Sequence, residues 1–382
     1  MAEPTSGPLA GLRVIEIAGI GPAPFAAMVL ADLGAAVVRV DRPGGGDLPV
    51  DPRYDLLNRN KRSVLIDLKH PRGVLTVRDL AARADVLIEG FRPGVAERLG
   101  IGPDALFAVN PRLVYGRMTG WGQDGPLAPT AGHDLTYLAL TGVLGAIGPA
   151  GGPPVPPLNL LGDYGGGGML LAVGVLAAVW RATRTGVGQI VDAAIIDGAA
   201  LLATQVYGLL HSGGWRDARG ANLLDGGAPN YRVYTTADNR YLAVGPLEPK
   251  FYAEFVSVLG GFGDHVPDPY DVAQWDRLHV LIAARIATRT RAEWLWLFEG
   301  TDACVAPVLS LGDAPDHPHL AARGVFVDVD GVRQPAPAPR FSGTPPARPA
   351  PPPLPGQHSR EVLEEWGIAD VDGLIADGAV TT

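Results

Sequence analysis

Cysteine is almost absent. The 382 residues hold one, Cys304, so no intrachain disulfide and no cysteine-based zinc site can form. Lysine is nearly as scarce: Lys61, Lys69 and Lys250 are the only three among 31 basic residues. With 51 glycines and 36 prolines, this is the composition of a GC-rich genome, so only arginines in informative positions enter the argument. Cations are in deficit, 31 against 40 acidic residues, for a net charge of −9. A general nucleic-acid binder needs the reverse, because its affinity comes from displaced counterions. The opening Met1-Ala-Glu-Pro-Thr-Ser-Gly-Pro has no basic stretch followed by an apolar one, so no secretory signal is expected. The longest uncharged apolar run, Met169 to Trp180, is too short to span a bilayer, and no internal repeat is found. What remains is 47% hydrophobic and 19% charged, enough for one or two substantial cores and unlike a disordered or collagenous chain. An intracellular globular enzyme or binding protein is expected.

Strand and helix signals alternate from the start. Arg13 to Ala18 reads as a buried strand and Gly19-Ile-Gly-Pro-Ala-Pro24 as a turn. Phe25 to Leu33 has helical spacing ending at Gly34, and Ala36 to Asp41 is a second strand. That βαβ unit is followed by strands at Ser63–Asp67, Asp85–Glu89 and Arg112–Arg117, with helices over 73–84 and about 165–182. The order predicts an α/β fold: a doubly wound, parallel-sheet large domain over residues 1–211. Residues 212–230, rich in Gly, Asp and Asn, read as a linker. A smaller α+β domain is predicted over 231–330, opening with a hairpin around Ala237-Asp-Asn239 and continuing in helices near 250–260 and 274–298. Residues 331–382 read as a Pro-rich return segment and a C-terminal helix, Ser359 to Trp366, packing on the large domain.

Five places are candidates for chemistry. The Gly19–Pro24 turn sits where a dinucleotide fingerprint would, with Asp41 about 20 residues on. Pro24 replaces its third glycine and Pro22 removes an amide, so a plain strand-to-helix turn is favoured over a phosphate cradle. His133, in Gly132-His-Asp134, suits either a structural histidine or an acid/base group. Asp163 precedes Gly165-Gly-Gly-Gly168 and then an apolar helix, so it reads as an N-cap or as a functional carboxylate; the glycines signal close backbone approach. Asn159, four residues earlier, would reach that carboxylate if the turn is helical. Glu248, between two prolines after a strand, suits a solvated loop acid. His317-Pro-His319 is a weak metal signal without a nearby cysteine, and no metal is expected.

The chain resembles the class III CoA-transferase superfamily along nearly its whole length, and within it the α-methylacyl-CoA racemases. The matching stretches include Leu12-Arg-Val-Ile-Glu, Asp85-Val-Leu-Ile-Glu-Gly-Phe-Arg-Pro-Gly94, Gly120-Trp-Gly-Gln-Asp-Gly-Pro126, Gly132-His-Asp134, Pro156-Pro-Leu-Asn-Leu-Leu-Gly-Asp163 and Gly220 to Pro229. The resemblance implies that His133 and Asp163 are the two acid/base groups of a 2-methylacyl-CoA racemase or epimerase, with Asn159 supporting Asp163 and Glu248 orienting the imidazole. It implies that Arg42, Asp67, Lys69, Arg92, Arg98, Gly132, Asp134 and Tyr137 bind the CoA portion. CoA then belongs to the substrate thioester, and no separate cofactor is expected. It further implies an interlocked, ring-like homodimer, with Glu248 of one chain beside His133 of the other. A cytoplasmic, bacterial enzyme of fatty-acid metabolism is expected, with an acyl-CoA substrate, no nucleic-acid partner and no membrane insertion. The alternative is a CoA-transferase with Asp163 as nucleophile, although such enzymes usually carry an aromatic residue in place of His133. A non-catalytic acyl-CoA-binding protein is disfavoured, because every proposed acid/base group is present.

Overall fold

The computed structural model describes residues 6–44, 50–262 and 268–382, so Met1–Thr5 of the segment read for a signal lie outside it. The chain divides into two compact units: residues 1–141, 158–202 and 321–382 form the first, and 142–157 with 203–320 the second. The division therefore falls after Leu202 rather than at 211, and the second unit also takes in 142–157. Arg219 shows why: its guanidinium donates to the carbonyls of Gly145 (2.8 Å) and Gly152 (2.5 Å), fastening that segment to the second unit.

In chain order the first unit begins β1 (Arg13–Ile17), α1 (Pro22–Asp32), β2 (Ala36–Asp41), β3 (Lys61–Ile66), α2 (Pro71–Ala81) and β4 (Val86–Glu89). It continues α3 (Val95–Arg98), α4 (Pro103–Phe107), β5 (Val114–Thr119) and α5 (Asp134–Leu140). After α6 (Val143–Ala146), which belongs to the second unit, come a π-helical segment (Leu160–Met169), α7 (Leu170–Thr185), β6 (Gln189–Ala194) and α8 (Ile195–Leu202). The second unit resumes with α9 (Thr204–Ser212), β7 (Arg232–Thr235), β8 (Tyr241–Val244), α10 (Pro249–Val258), α11 (Trp275–Ile286), α12 (Arg291–Phe298), β9 (Val305–Pro307) and the start of α13 (Pro318–Ala322). The chain closes in the first unit with a hairpin of β10 (Phe326–Val329) and β11 (Val332–Pro335), then α14 (Ser359–Glu365), α15 (Val371–Ala376) and β12 (Val380–Thr381).

The main sheet has the order β12-β3-β2-β1-β4-β5-β6, parallel except for β12, which pairs antiparallel with β3. Period-2 alternation sends neighbouring side chains to opposite cores. Val14, Val37, Val86, Ile88 and Val114 pack with Leu30 of α1 and Leu171 and Val175 of α7. Ile15, Val38, Leu87 and Tyr115 pack with Val77 and Leu80 of α2 and with Val362, Leu363 and Trp366 of the C-terminal helices. This is the doubly wound α/β architecture expected, and its strand order reverses between β1 and β4, where ligands of such sheets bind.

The π segment and α7 form one continuous 26-residue run, Leu160–Thr185, long and apolar enough to cross a membrane. It is longer than the 169–180 run because residues 160–168, with their glycines, extend it at the N-terminal end and Arg181 to Thr185 extend it at the C-terminal end. In this fold it packs against α1, α8, β5 and β6.

The second unit centres on the antiparallel sheet β7-β8-β9, covered by α10, α11 and α12 through Leu242, Phe255, Ile282 and Trp294. The helix expected over 274–298 is two helices. Thr290 starts the second with a capping box, its hydroxyl accepting from the Glu293 amide while Glu293 accepts from the Thr290 amide.

Candidate active site

The site is built from the C-terminal ends of the parallel strands inward. After β1, Gly21 occupies the N-cap of α1 with φ 72°, in the left-handed region that glycine tolerates. A Cβ there would stand 3.2 Å from Oδ2 of Asp163. The glycine turn that looked like a phosphate cradle thus faces a carboxylate of the same chain.

Asp163 is not an N-cap. It lies in the first turn of the π segment, where the Tyr164 amide donates across five residues to the Asn159 carbonyl (3.2 Å). The glycines explain the placement. A Cβ on Gly166 would meet the Ala199 nitrogen at 2.7 Å, and one on Gly168 the Pro22 carbonyl oxygen at 2.8 Å. From the other side, a Cβ on Gly198 would fall 1.8 Å from the Gly166 oxygen. The close approach signalled by the glycine run is therefore to α1 and α8. π turns cost more than α turns and cluster at functional sites, and this one presents a half-buried carboxylate at the crevice. The Asn159 side-chain amide donates to Asp163 Oδ2 at 3.4 Å, as the four-residue spacing suggested.

The second wall is the start of α5. His133 is its N-cap and is exposed. The Asp134 side chain turns away to the π segment, where Oδ1 accepts the Asp163 amide at 2.7 Å. Tyr137 is buried edge-on against Trp121, with centroids 4.7 Å apart. Gly120 and Gly132 make room for it, since a Cβ on either would lie within 2.5 Å of the phenol ring. Burial pushes the Asp163 carboxyl above its ordinary value and the Asp134 charge adds to that, against the Asn159 hydrogen bond and His133. Burial likewise raises the Tyr137 phenol, with Asp163 adding and the Arg92 cation opposing. His133, Asp134, Tyr137, Asn159, Asp163 and Arg92 therefore form one electrostatic neighbourhood.

The other candidates sit along the same edge. Arg42, directly after β2, lines a cavity of about 390 Å³ with Gly21, Arg39, Tyr54, Asp55 and Tyr164. Asp67 and exposed Lys69 follow β3, where the Asp67 carboxylate accepts the Lys69 amide at 2.8 Å and so braces its own turn. Arg92 and Arg98, both exposed, follow β4. Glu248 is placed in the second unit as the exposed N-cap residue of α10, where its side chain makes no capping bond.

Sequence reasoning missed a buried charge network at this edge. The Lys61 ammonium, fully buried, lies 2.5 Å from Glu16 and donates to the Pro24 carbonyl at the start of α1 (3.0 Å). Arg39 pairs with Glu16 and with Asp41, at 2.9 Å for the latter. Burial lowers the Lys61 pKa and Glu16 opposes that. The available signal was Glu16 itself, an acid inside the apolar strand Arg13-Val-Ile-Glu-Ile.

Comparison with known proteins places these features in context. The profile of CoA-transferase family III matches residues 9–359. The human protein named alpha-methylacyl-CoA racemase is 45% identical over 366 residues, covering 94% of each chain. The mouse succinyl-CoA:glutarate CoA-transferase is 32% identical, covering 98% of this chain and 90% of that protein. Among solved structures, a CAIB/BAIF family protein from Brucella suis superposes with a TM-score of 0.82 at 27% identity, covering 94% of this chain and all of that one. A relative of 45% identity in human leaves the expected bacterial source unsupported.

Proposed function

The chain belongs to CoA-transferase family III, and from that premise we propose that it is an isomerase of acyl-CoA thioesters, interconverting (R)- and (S)-2-methylacyl-CoA. The observation that carries this is that half-buried Asp163, its carboxyl raised above its ordinary value by burial and by Asp134, lies within electrostatic reach of exposed His133 at the N-cap of α5. Inverting a carbon by proton transfer needs one group to take a proton from one face and another to return one to the opposite face. An exposed imidazole and a carboxyl raised by burial and by Asp134 suit those two tasks, exchanging roles with the direction of reaction.

The α-proton of a thioester is a weak acid, and the intermediate is an enolate whose oxygen needs stabilisation. His133 takes the proton from one epimer while Asp163, protonated, donates to the other face; Asn159 steadies the Asp163 carboxylate once the proton has left. Arg42, Lys69, Arg92 and Arg98 follow β2, β3 and β4 of the same parallel sheet and are the cations for the CoA phosphates, arginine doing so through its bidentate fork. Asp67, Gly132, Asp134 and Tyr137 complete the CoA-side wall. CoA arrives and leaves with the substrate, so the reaction uses no resident cofactor. Glu248 orients His133 from the second chain of a homodimer whose sites are shared, a reading supported by its exposed carboxylate, which makes no capping bond to α10.

The transferase alternative needs Asp163 ionised, as a nucleophile that forms an acyl anhydride. Asp163 serves either reading, but a histidine stands at 133 where such transferases usually carry an aromatic residue, and identity to the racemase exceeds identity to the transferase, 45% against 32%. Incubation with each 2-methylacyl-CoA epimer in deuterium oxide decides the matter. Either epimer should acquire α-deuterium and pass to the other with no acyl acceptor added. Strict dependence on a free carboxylic acid, with an acyl group on Asp163 trappable by hydroxylamine, would establish transfer instead.

A further inference from the structure

We propose that Asp134 is a positioning residue that fixes the spacing between the two acid/base groups, holding Asp163 through its side chain while His133 precedes it in the chain. The inference rests on the racemase reading. The first turn of a helical segment leaves its amides unpaired, and the residue at the N-cap usually serves them. Here Asn159 holds that position and gives no capping bond, its amide being turned to the Asp163 carboxylate. Asp134 supplies the cap from another helix: Oδ1 accepts the Asp163 amide at 2.7 Å, and the Gly162 amide also donates to the carboxylate. A Cβ on Gly162 would stand 2.2 Å from the same oxygen, so only glycine admits the carboxylate there. Asp134 is not the N-cap of its own helix, a position held by His133, whose amide donates to the Thr136 hydroxyl at 3.0 Å. The result is a rigid link from α5 to the π segment that ties one acid/base group to the other. Two-base inversion demands such a link, because a displacement of about 1 Å in a catalytic group costs on the order of 100-fold in rate.

The test compares Asp134→Asn, which keeps an acceptor oxygen and removes the charge, with Asp134→Ala, which removes both. Each is assayed with (R)- and (S)-2-methylacyl-CoA across pH, and amide hydrogen exchange is followed over 160–169. The alanine variant should lose about 100-fold in kcat in both directions, and its Gly162 and Asp163 amides should exchange faster. Asparagine should restore most of that kcat and the amide protection. It should also move the pH limb belonging to Asp163 downward, because a neighbouring like charge is gone. If the alanine variant does not fold, the asparagine pH shift is the deciding measurement. An alanine variant with wild-type kcat, pH profile and amide exchange overturns the proposal, as does an asparagine variant that rescues neither kcat nor protection. A wild-type enzyme that neither exchanges nor inverts its substrate instead overturns the racemase reading, and amide exchange alone then decides whether Asp134 holds Asp163.

Discussion

A buried acid can matter to this site without touching substrate, and Glu89 is the case to follow. It ends β4, accepts the Phe91 amide at 2.6 Å, and so sets the turn that carries Arg92. Arg117 Nε lies 3.1 Å from it and Arg117 Nη1 2.8 Å from Glu97. Burial outweighs those favourable partners and pushes the Glu89 carboxyl from its ordinary 4.5 to about 7. The unfolded chain therefore releases this proton near pH 4.5 and the folded chain near pH 7. Between those values the native state binds more protons than the unfolded state, so raising the pH destabilises the fold, and this contribution is complete once pH exceeds about 7. A gap of that size corresponds to roughly 3 kcal/mol. Glu89→Gln, which keeps an acceptor for Phe91 and leaves Arg117 its Glu97 partner, should flatten the decline measured by urea unfolding from pH 4.5 to 7.5. A variant whose stability declines over that range as steeply as wild type would remove Glu89 as the cause.

At the scale of elements, the junction of the π segment with α1 and α8 is where glycine is least replaceable. Gly198→Ala puts a methyl 1.8 Å from the Gly166 carbonyl oxygen, backbone against backbone, so α8 must move away from the segment bearing Asp163. Overpacking of this kind costs roughly 3 kcal/mol or more, and activity should fall with it. Gly208→Ala, in α9 with nothing within 4 Å of the added carbon, should instead gain about 0.5–1 kcal/mol from helix propensity. Thermal unfolding of both variants checks the pair, and equal effects would show that Gly198 is not specially constrained. These contacts also mark the limit of what the sequence discloses. The strands were legible, because Val14-Ile15 or Val37-Val38 alternate between two cores and flank good turn residues. The Asn159–Asp163 pairing was legible from its spacing. A π turn was not, because it depends on Gly166 and Gly198 meeting across more than 30 residues, and no periodicity records which helix a glycine will face. The break at 287–290 was missed for a different reason. Thr290 and Glu293 are a recognisable capping box, but apolar spacing continues through it and masks the stop.

At the scale of the whole molecule, the proposed shared site makes a prediction about the proposed homodimer. His133 belongs to the first unit and Glu248 to the second, and each is exposed, with the Glu248 carboxylate unused in capping α10. On the shared-site reading, Glu248 of one chain serves His133 of the other. His133→Ala and Glu248→Ala proteins should then each be poorly active alone, the first for want of a base and the second because its imidazole has lost the partner that orients it. A heterodimer of the two changes the geometry of the defects. One site receives both lesions, while the other draws His133 from the Glu248→Ala chain and Glu248 from the His133→Ala chain and is intact. Activity per heterodimer should rise to about half that of wild type, since distant sites act independently. If Glu248 serves its own chain, every site in the mixture keeps one lesion, and the heterodimer yields only the average of its parents. Tagging the two chains differently, purifying the mixed species and assaying α-proton exchange in deuterium oxide separates the cases. A heterodimer at the parental average would sink the shared site while leaving His133 and Asp163 as the acid/base pair, because both lie in the first unit and their pairing does not depend on the second chain.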